Sequence, residues 1–109
     1  MVLTLYWRDL ARFDRSYKVF THVIDATNAF AGQKDAIPVA DSRPTTTWRR
    51  GEVLVDRYEI LISPGAKPGR YDLKVGMYAM DGGQRLPVTS ADGSPSGDSV
   101  TLASIEVKP

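Results

Sequence analysis

The sequence predicts an all-β fold in which short antiparallel strands form a two-layered sandwich. Apolar and polar residues alternate along most segments, and Gly, Pro and Asp turns separate those segments from one another. No segment keeps the i, i+3, i+4, i+7 apolar spacing over the length of a helix. Because parallel strands need long, usually helical crossovers, this pattern favours antiparallel sheets.

Seven segments carry the strand pattern. In the first of them, Leu3, Leu5 and Trp7 share one apolar face. In the last, the apolar phase slips by one residue between Leu102 and Ile105, as a β-bulge would require. The predicted strands cover residues 3–7, 17–25, 31–35, 53–63, 71–79, 85–89 and 99–107.

The connections between these segments refine the fold class. The connection over residues 36–52 is long and irregular, and loops of this length are often functional or are crossovers between sheets. Tyr71 follows a Pro-Gly-Arg turn just before the strongest strand, as in the tyrosine corner, where the phenol hydroxyl bonds to upstream backbone. We therefore predict an immunoglobulin-like antiparallel β-sandwich of about seven strands, with one helical turn at most, over residues 9–15.

Composition bounds the possible functions. The chain has 109 residues, 42% hydrophobic and 25% charged, which fits one ordinary globular domain over residues 1–109. The 14 basic and 13 acidic residues give a net charge of +1, too little to steer the domain onto nucleic acid or an anionic membrane. The absence of cysteine excludes disulfides, thiolate metal sites and cysteine nucleophiles. The apolar runs are too short to span a membrane.

Few residues could do chemistry. His22 is the one histidine, and no nucleophile-elbow glycine pattern surrounds a serine. His22 is either a buried histidine bonded to backbone or a ligand contact. Asp81, Asp92 and Asp98 lie beside glycines but lack the EF-hand spacing, so turn chemistry accounts for them. We predict no enzyme activity, no catalytic residue, no cofactor and no metal.

Aromatic residues give the other candidates. Trp48 lies in the long connection, where an exposed indole would offer a stacking platform for a sugar ring or a partner side chain. Alternatively, Trp48 plugs one end of the sandwich. Aromatic and basic residues also interleave over residues 6–18, but Asp9 and Asp14 dilute the charge, so we expect a solvated loop there and no nucleic-acid site.

A series of short motifs runs in order through nearly the whole chain. They are Leu-Tyr-Trp-Arg at 5–8, Tyr-x-Val-Phe-x-His-x-x-Asp at 17–25, Gln-x-Asp at 33–35, Pro-Thr-x-x-Trp-Arg-x-Gly-Glu at 44–52, Val-Asp-x-Tyr at 55–58, Pro-Gly-x-Tyr-x-Leu-x-Val-Gly-x-Tyr at 68–78 and Arg-Leu-Pro-Val at 85–88. Together they resemble a β-sandwich domain appended to the C-terminal, extracytoplasmic side of multi-pass bacterial membrane proteins similar to dolichyl-phosphate-mannose-type glycosyltransferases. The chain departs from that pattern at residues 28–31, where Phe30 replaces a more polar, glycine-containing turn.

The resemblance implies a cellular setting. It implies that the chain is a fragment of a larger membrane protein, tethered through that parent on the periplasmic or cell-surface side. It implies no catalytic residue in this domain, because the transfer chemistry of such proteins belongs to their membrane portion. We expect a monomer that does not itself insert into the membrane.

Two functions are compatible with these residues. In the first, the domain is a non-catalytic accessory module that recognises glycan or acceptor polypeptide, with planar polar groups for sugar hydroxyls and an aromatic face for sugar C–H groups. In the second, it is a structural spacer or protein-interaction module without a small-molecule ligand, in which an Arg50–Asp35 pair could support the long connection. Burial of Trp48 would count against the first. The predicted ligand-binding residues are Trp48, Arg50, His22, Gln33, Asp35 and Arg85.

Overall fold

Six strands form two antiparallel sheets in the computed structural model, which describes all of residues 1–109. The smaller sheet pairs β1 with β4, and the larger sheet has the order β3-β2-β5-β6. The predicted all-β sandwich is confirmed, with six strands rather than about seven. The strands are β1 (Val2–Arg8), β2 (Tyr17–Ile24), β3 (Phe30–Ala36), β4 (Val53–Glu59), β5 (Gly69–Ala79) and β6 (Val100–Val107).

One hydrophobic cluster fills the space between the sheets. The alternation along β4 and β5 turns residues such as Leu54, Tyr58 and Val75 inward. The sequence left open which face of β2 is the core face, because both faces are apolar. Val19 and Val23 are fully buried in the cluster, so the side chains of Phe20 and His22, which alternate with them along β2, point to the outer face of the larger sheet.

Phe20 is buried on that outer face, with 1% of its surface exposed. It pairs in register with Gly76 of β5, and its ring lies across the glycine. A Cβ at residue 76 would overlap the ring and would lie 2.8 Å from the carbonyl oxygen of Asp98. The missing side chain therefore lets Phe20 lie flat on the sheet and lets the backbone at Asp98 pass beside it.

Asp56 of β4 is a fully buried carboxylate that joins three parts of the chain. Its Oδ2 accepts hydrogen bonds from the Trp7 indole at 3.0 Å and the Tyr58 hydroxyl at 2.7 Å, and its Oδ1 accepts the Val39 N–H at 2.7 Å. None of the three ion pairs of the chain includes Asp56, so neutral donors offset its desolvation. Burial and the bond to Asp56 raise the pKa of Tyr58, which keeps its hydroxyl a donor.

The Val39 bond stabilises an unusual turn at the start of the long connection. Val39, Ala40 and Asp41 have φ angles of 58°, 51° and 64°, in the left-handed region that β-branched residues rarely enter. The Asp41 carboxylate accepts the Ile37 N–H at 3.0 Å and closes the turn from the other side. A single 3₁₀ turn, Thr45–Thr47, follows.

The ion pair that supports the long connection joins Arg43 and Glu52. Two guanidinium nitrogens of Arg43 reach the two carboxylate oxygens at 3.0 and 2.7 Å. Hydrogen bonds from Arg43 and from the Arg49 N–H lower the pKa of Glu52 to about 2. The suggested Arg50–Asp35 pair is wrong, because Arg50 is in none of the three ion pairs of the chain and Asp35 accepts a hydrogen bond from the Tyr78 hydroxyl instead.

Two local predictions are confirmed. The Tyr71 hydroxyl donates to the carbonyl oxygen of Lys67 at 2.8 Å, which is the predicted tyrosine corner. The register between β5 and β6 shifts beside Leu73, opposite Leu102, which accounts for the slip in apolar phase along the last strand.

Two predicted strands are wrong, the one over residues 85–89 as a strand and the one over residues 53–63 in its end, and the helical turn allowed over residues 9–15 does not form. Residues 85–89 make two isolated bridges, from Arg85 to Tyr78 and from Thr89 to Pro95, and no strand, since Pro87 cannot donate to a ladder. No helical turn forms over residues 9–15, because the Asp9 backbone extends the pairing of β1 with residues 51–52. β4 ends at Glu59, where the chain crosses to the larger sheet and Ser63 bonds to Ala31.

Asp56→Asn should lower the free energy of unfolding by about 1–3 kcal/mol, because an amide nitrogen cannot accept and one buried donor loses its partner. Urea denaturation measures the change. Asp81→Asn, at an exposed turn, is the control and should stay within about 0.5 kcal/mol of the parent protein. Equal stability of the Asp56 variant and the parent would contradict the role given to this carboxylate.

Gly76→Ala should lower the free energy of unfolding by about 1–3 kcal/mol, because the added methyl group displaces the Phe20 ring. Gly65→Ala is the matched control: its Cβ would meet no atom within 4 Å, so its stability should be unchanged or slightly higher. Thermal unfolding of the two variants side by side distinguishes them. Equal melting temperatures would show that Phe20 does not need the space above Gly76.

Candidate functional site

The outer face of the larger sheet brings together four of the six predicted ligand-binding residues. His22 and Gln33 are direct cross-strand partners, and Asp35 lies opposite Phe20 on the same face. The guanidinium carbon of Arg85 lies 4.3 Å from the centre of the Phe20 ring. We name this surface the outer-face patch; it consists of Phe20, His22, Phe30, Gln33, Asp35, Tyr78 and Arg85.

Aromatic rings form the base of the outer-face patch. The Phe20 ring centre lies 4.7 Å from that of His22 and 6.3 Å from that of Tyr78. Phe30 meets His22 edge to face, with ring centres 4.8 Å apart. Phe20 is almost completely buried, whereas Phe30 is 47% exposed. The patch therefore has a packed aromatic base and one ring open to solvent.

Polar groups surround these rings, and some of them have no partner within the protein. Asp35 accepts a hydrogen bond from the Tyr78 hydroxyl at 2.9 Å, and Arg85 pairs with Asp98 at 3.3 Å. The side chains of His22 and Gln33 take part in none of the side-chain hydrogen bonds of the chain. A buried, backbone-bonded His22 is therefore the wrong alternative, and its imidazole is free to bond to a ligand.

The surroundings of His22 favour its neutral form. Partial burial is the main cause that lowers its pKa, and the Arg85 charge lowers it further, while the Asp35 charge acts in the opposite direction. Burial and the bond to Asp35 raise the pKa of Tyr78. At neutral pH the patch thus presents one imidazole donor and one imidazole acceptor beside a fixed phenol.

Trp48 lies inside the molecule, 7% exposed. Its ring centre is 6.3 Å from that of Trp7 and 5.5 Å from that of Phe13, and its indole N–H donates to the Arg43 carbonyl at 3.0 Å. The alternative in which Trp48 plugs the sandwich is therefore the correct one, and Trp48 is not a platform for a ligand. Its neighbour Arg50 is exposed, forms no ion pair and lies outside the outer-face patch.

Three members of the outer-face patch were not predicted from the sequence as site residues: Phe20, Phe30 and Tyr78. The two-residue spacing of Phe20 and His22 along β2 could have identified Phe20 as a member of the site, because residues two apart in a strand share a face. The positions of Phe30 and Tyr78 depend on pairing with β3 and β5. That pairing joins Tyr78 to Asp35 across 43 positions of sequence.

The outer-face patch is a flat surface, and the grooves of the molecule lie elsewhere. The most apolar groove, with a volume of about 340 Å³, runs beside β1 on the other side of the larger sheet, and nine of its eleven lining residues are hydrophobic. A second groove includes Trp7, Phe13 and Asp9. Asp9 is 2% exposed, and its Oδ2 is the buried side-chain oxygen that has no partner.

No three His, Asp or Glu side chains cluster in a way that could hold a metal ion. No helix is long and apolar enough to cross a membrane.

Comparison with known proteins identifies no relative: no family model, no curated protein and no solved structure matches the chain significantly. The candidate site is therefore identified by the geometry of its own residues alone.

His22 should titrate below its ordinary pKa of 6.5 in the folded protein, which NMR of the imidazole C–H signals measures. Asp35→Asn should lower the pKa further, because it removes a nearby negative charge, and Arg85→Gln should raise it. Because the pKa of His22 is lower in the folded protein, the unfolded chain binds more protons than the folded one below about pH 6.5. The stability contributed by His22 is therefore complete above that pH and is lost as the pH falls through the folded pKa. A pKa above 6.5, or shifts of opposite sign in the two variants, would contradict this environment.

Proposed function

We propose that this domain is a non-catalytic recognition module and that the outer-face patch is its binding surface for a carbohydrate. The observation that carries the proposal is the exposed ring of Phe30 next to His22 and Gln33, whose polar groups have no partner within the protein. An aromatic face suits the C–H side of a sugar ring, and planar polar side chains suit its hydroxyls. The same module was expected to use Trp48, and the patch replaces Trp48 in this role.

The charged members of the patch complete the recognition chemistry. Arg85 and Asp35 are each held on one side, by Asp98 and Tyr78, which leaves further donors and acceptors directed at solvent. Their side chains are already ordered by these bonds, so a ligand does not have to immobilise them. Because the surface is flat and buries little of a small ligand, we expect a dissociation constant on the order of 1 mM for a single short oligosaccharide.

The setting we propose is that of an accessory domain of a membrane glycosyltransferase-like protein, held on its extracytoplasmic side. The support is the resemblance of the ordered motifs and the position of their residues in the fold. Members of four separate motifs converge on the outer-face patch: His22, Asp35, Tyr78 and Arg85. A binding role for the patch would explain why residues so far apart in sequence belong to the motif set.

A structural spacer or protein-interaction module is the second candidate. It is favoured by the outer surface of the smaller sheet, where Tyr6 and Val55 are exposed cross-strand partners and Val53 is exposed beside them on the same face. Contiguous exposed apolar residues mark contact surfaces in many proteins. In this alternative the outer-face patch has no small-molecule ligand.

Amide-shift NMR titration with oligosaccharides of glucose, mannose and N-acetylglucosamine tests the proposal. We expect saturable shifts that cluster on residues 20–22, 30–35 and 85. Phe30→Ala should weaken binding about three- to tenfold through the loss of its stacking contact.

Arg50→Ala is the matched control, because Arg50 is exposed but lies outside the patch. Its affinity should equal that of the parent protein. A flat response to every sugar, or equal losses in the two variants, would overturn the carbohydrate proposal and favour the spacer.

A further inference from the structure

The smaller sheet has an open edge along β1. Met1 and Ile60 exchange both backbone hydrogen bonds, and the register from there to Arg8 is continuous. In an antiparallel pair such bonded positions recur every second residue, so the odd-numbered residues of β1 bond to β4. The even-numbered residues therefore point their N–H and C=O groups away from β4, and none of these groups takes part in a backbone bond outside the strands. They belong to Val2, Thr4, Tyr6 and Arg8.

The apolar groove lies directly beside this edge. The β1 residues Leu5 to Trp7 form one wall, and Val75, Met77, Val100 and Leu102 line the groove from the larger sheet together with residues 86–88. The groove occupies the place that a third strand of the smaller sheet would take, next to β1 and above β6. The smaller sheet has only two strands, and neither of them covers β6. Unpaired backbone groups and an apolar floor thus meet at one place.

β1 also lacks the features by which sheet edges usually avoid pairing. It contains no proline, no lysine and no bulge, and its only charged residue is Arg8 at its end. Edge strands without such features are templates for another strand. A small molecule could fill the groove, but it would not satisfy a row of backbone donors and acceptors spaced along a strand.

The edge does not suit antiparallel pairing with the β1 strand of a second copy of this chain. β6 projects beyond β1, since Val100 and Leu102 lie in the groove that β1 borders. Paired strands are about 4.8 Å apart, so two β1 edges paired antiparallel at that distance would bring the projecting β6 strands of both copies into the same space. A single extended segment has no such projection and fits the vacant position.

We propose that the β1 edge binds an extended segment of a partner polypeptide as a third strand of the smaller sheet, with alternate apolar side chains in the groove. This inference concerns a different surface from the outer-face patch and does not depend on carbohydrate binding. The bound segment takes hydrogen bonds from Thr4 and Tyr6 and buries apolar side chains against Val100 and Leu102. Since the groove borders three residues of β1, a segment of about five or six residues covers it.

A capped peptide of alternating valine and threonine, six residues long, is the probe. We expect saturable NMR shifts at Leu5 to Trp7, Val100 and Leu102. Amide exchange should slow at Thr4 and Tyr6, whereas the amides of Leu3 and Leu5 are already bonded to β4 and should change little.

Two N-methylated forms of the same peptide are the controls, one methylated at the odd-numbered and one at the even-numbered residues. Each keeps all side chains but loses the backbone N–H donors along one edge of the extended peptide. One of the two N-methylated peptides should bind about tenfold more weakly. Equal binding of all three peptides, or no binding of the parent peptide, would overturn the proposal.

Protein variants give an independent test. Tyr6→Pro removes a donor from the open edge, and Val55→Pro is its matched control, since Val55 is the cross-strand partner of Tyr6 and directs its N–H to the opposite edge. The first should weaken peptide binding about tenfold and the second should not. Tyr6→Ala keeps the donor and should bind nearly as the parent does, which separates the backbone from the ring.

Equal affinities of the two proline variants would overturn the inference. So would concentration-dependent dimerisation that protects Thr4 and Tyr6 without peptide, because a second copy would then occupy the edge. If Tyr6→Pro fails to fold, the N-methylated peptides decide the question with the parent protein alone.

Discussion

The buried carboxylate of Asp56 is the constraint on which the smaller sheet depends. A two-stranded sheet has little stability of its own, and here its two strands are fixed by Trp7 and Tyr58, which share one oxygen of Asp56. The other oxygen holds Val39 in a left-handed conformation that its branched side chain disfavours. The loss of any one of these three donors would leave the buried carboxylate short of a hydrogen-bond partner. The long connection is thus bound to the sandwich from within, and it does not serve as a free recognition loop.

This arrangement separates two surfaces of different character. The outer-face patch belongs to the larger sheet, where β2 is central and Phe20 forms a packed base beneath His22 and Arg85. The open β1 edge belongs to the smaller sheet, which stops at two strands and leaves an apolar groove above β6. The two surfaces lie on opposite faces of the larger sheet, so a ligand on one does not block the other.

The sequence predicted those features of the fold that depend on residues close together in the chain. Alternation identified β1 and β5, and the phase slip near Leu102 identified the bulge, because each depends on residues close in sequence. The tyrosine corner followed from one turn. The core face of β2 could not be predicted, because both faces are apolar and Gly76, far along the chain, decides where Phe20 fits. The burial of Trp48 likewise depends on its packing against Trp7 and Phe13. Four of the six predicted site residues nevertheless share one face, since cross-strand pairing brings their motifs together.

Native-state hydrogen exchange of the free domain tests this description most directly. We expect the Trp7 indole N–H, which is bonded to Asp56, to exchange only on global unfolding, and the odd-numbered amides of β1 to be protected by β4. The even-numbered amides of the same strand should exchange rapidly. Uniform protection along β1 would show that its edge is closed, and rapid exchange of the indole would show that Asp56 does not hold the two strands and the long connection together.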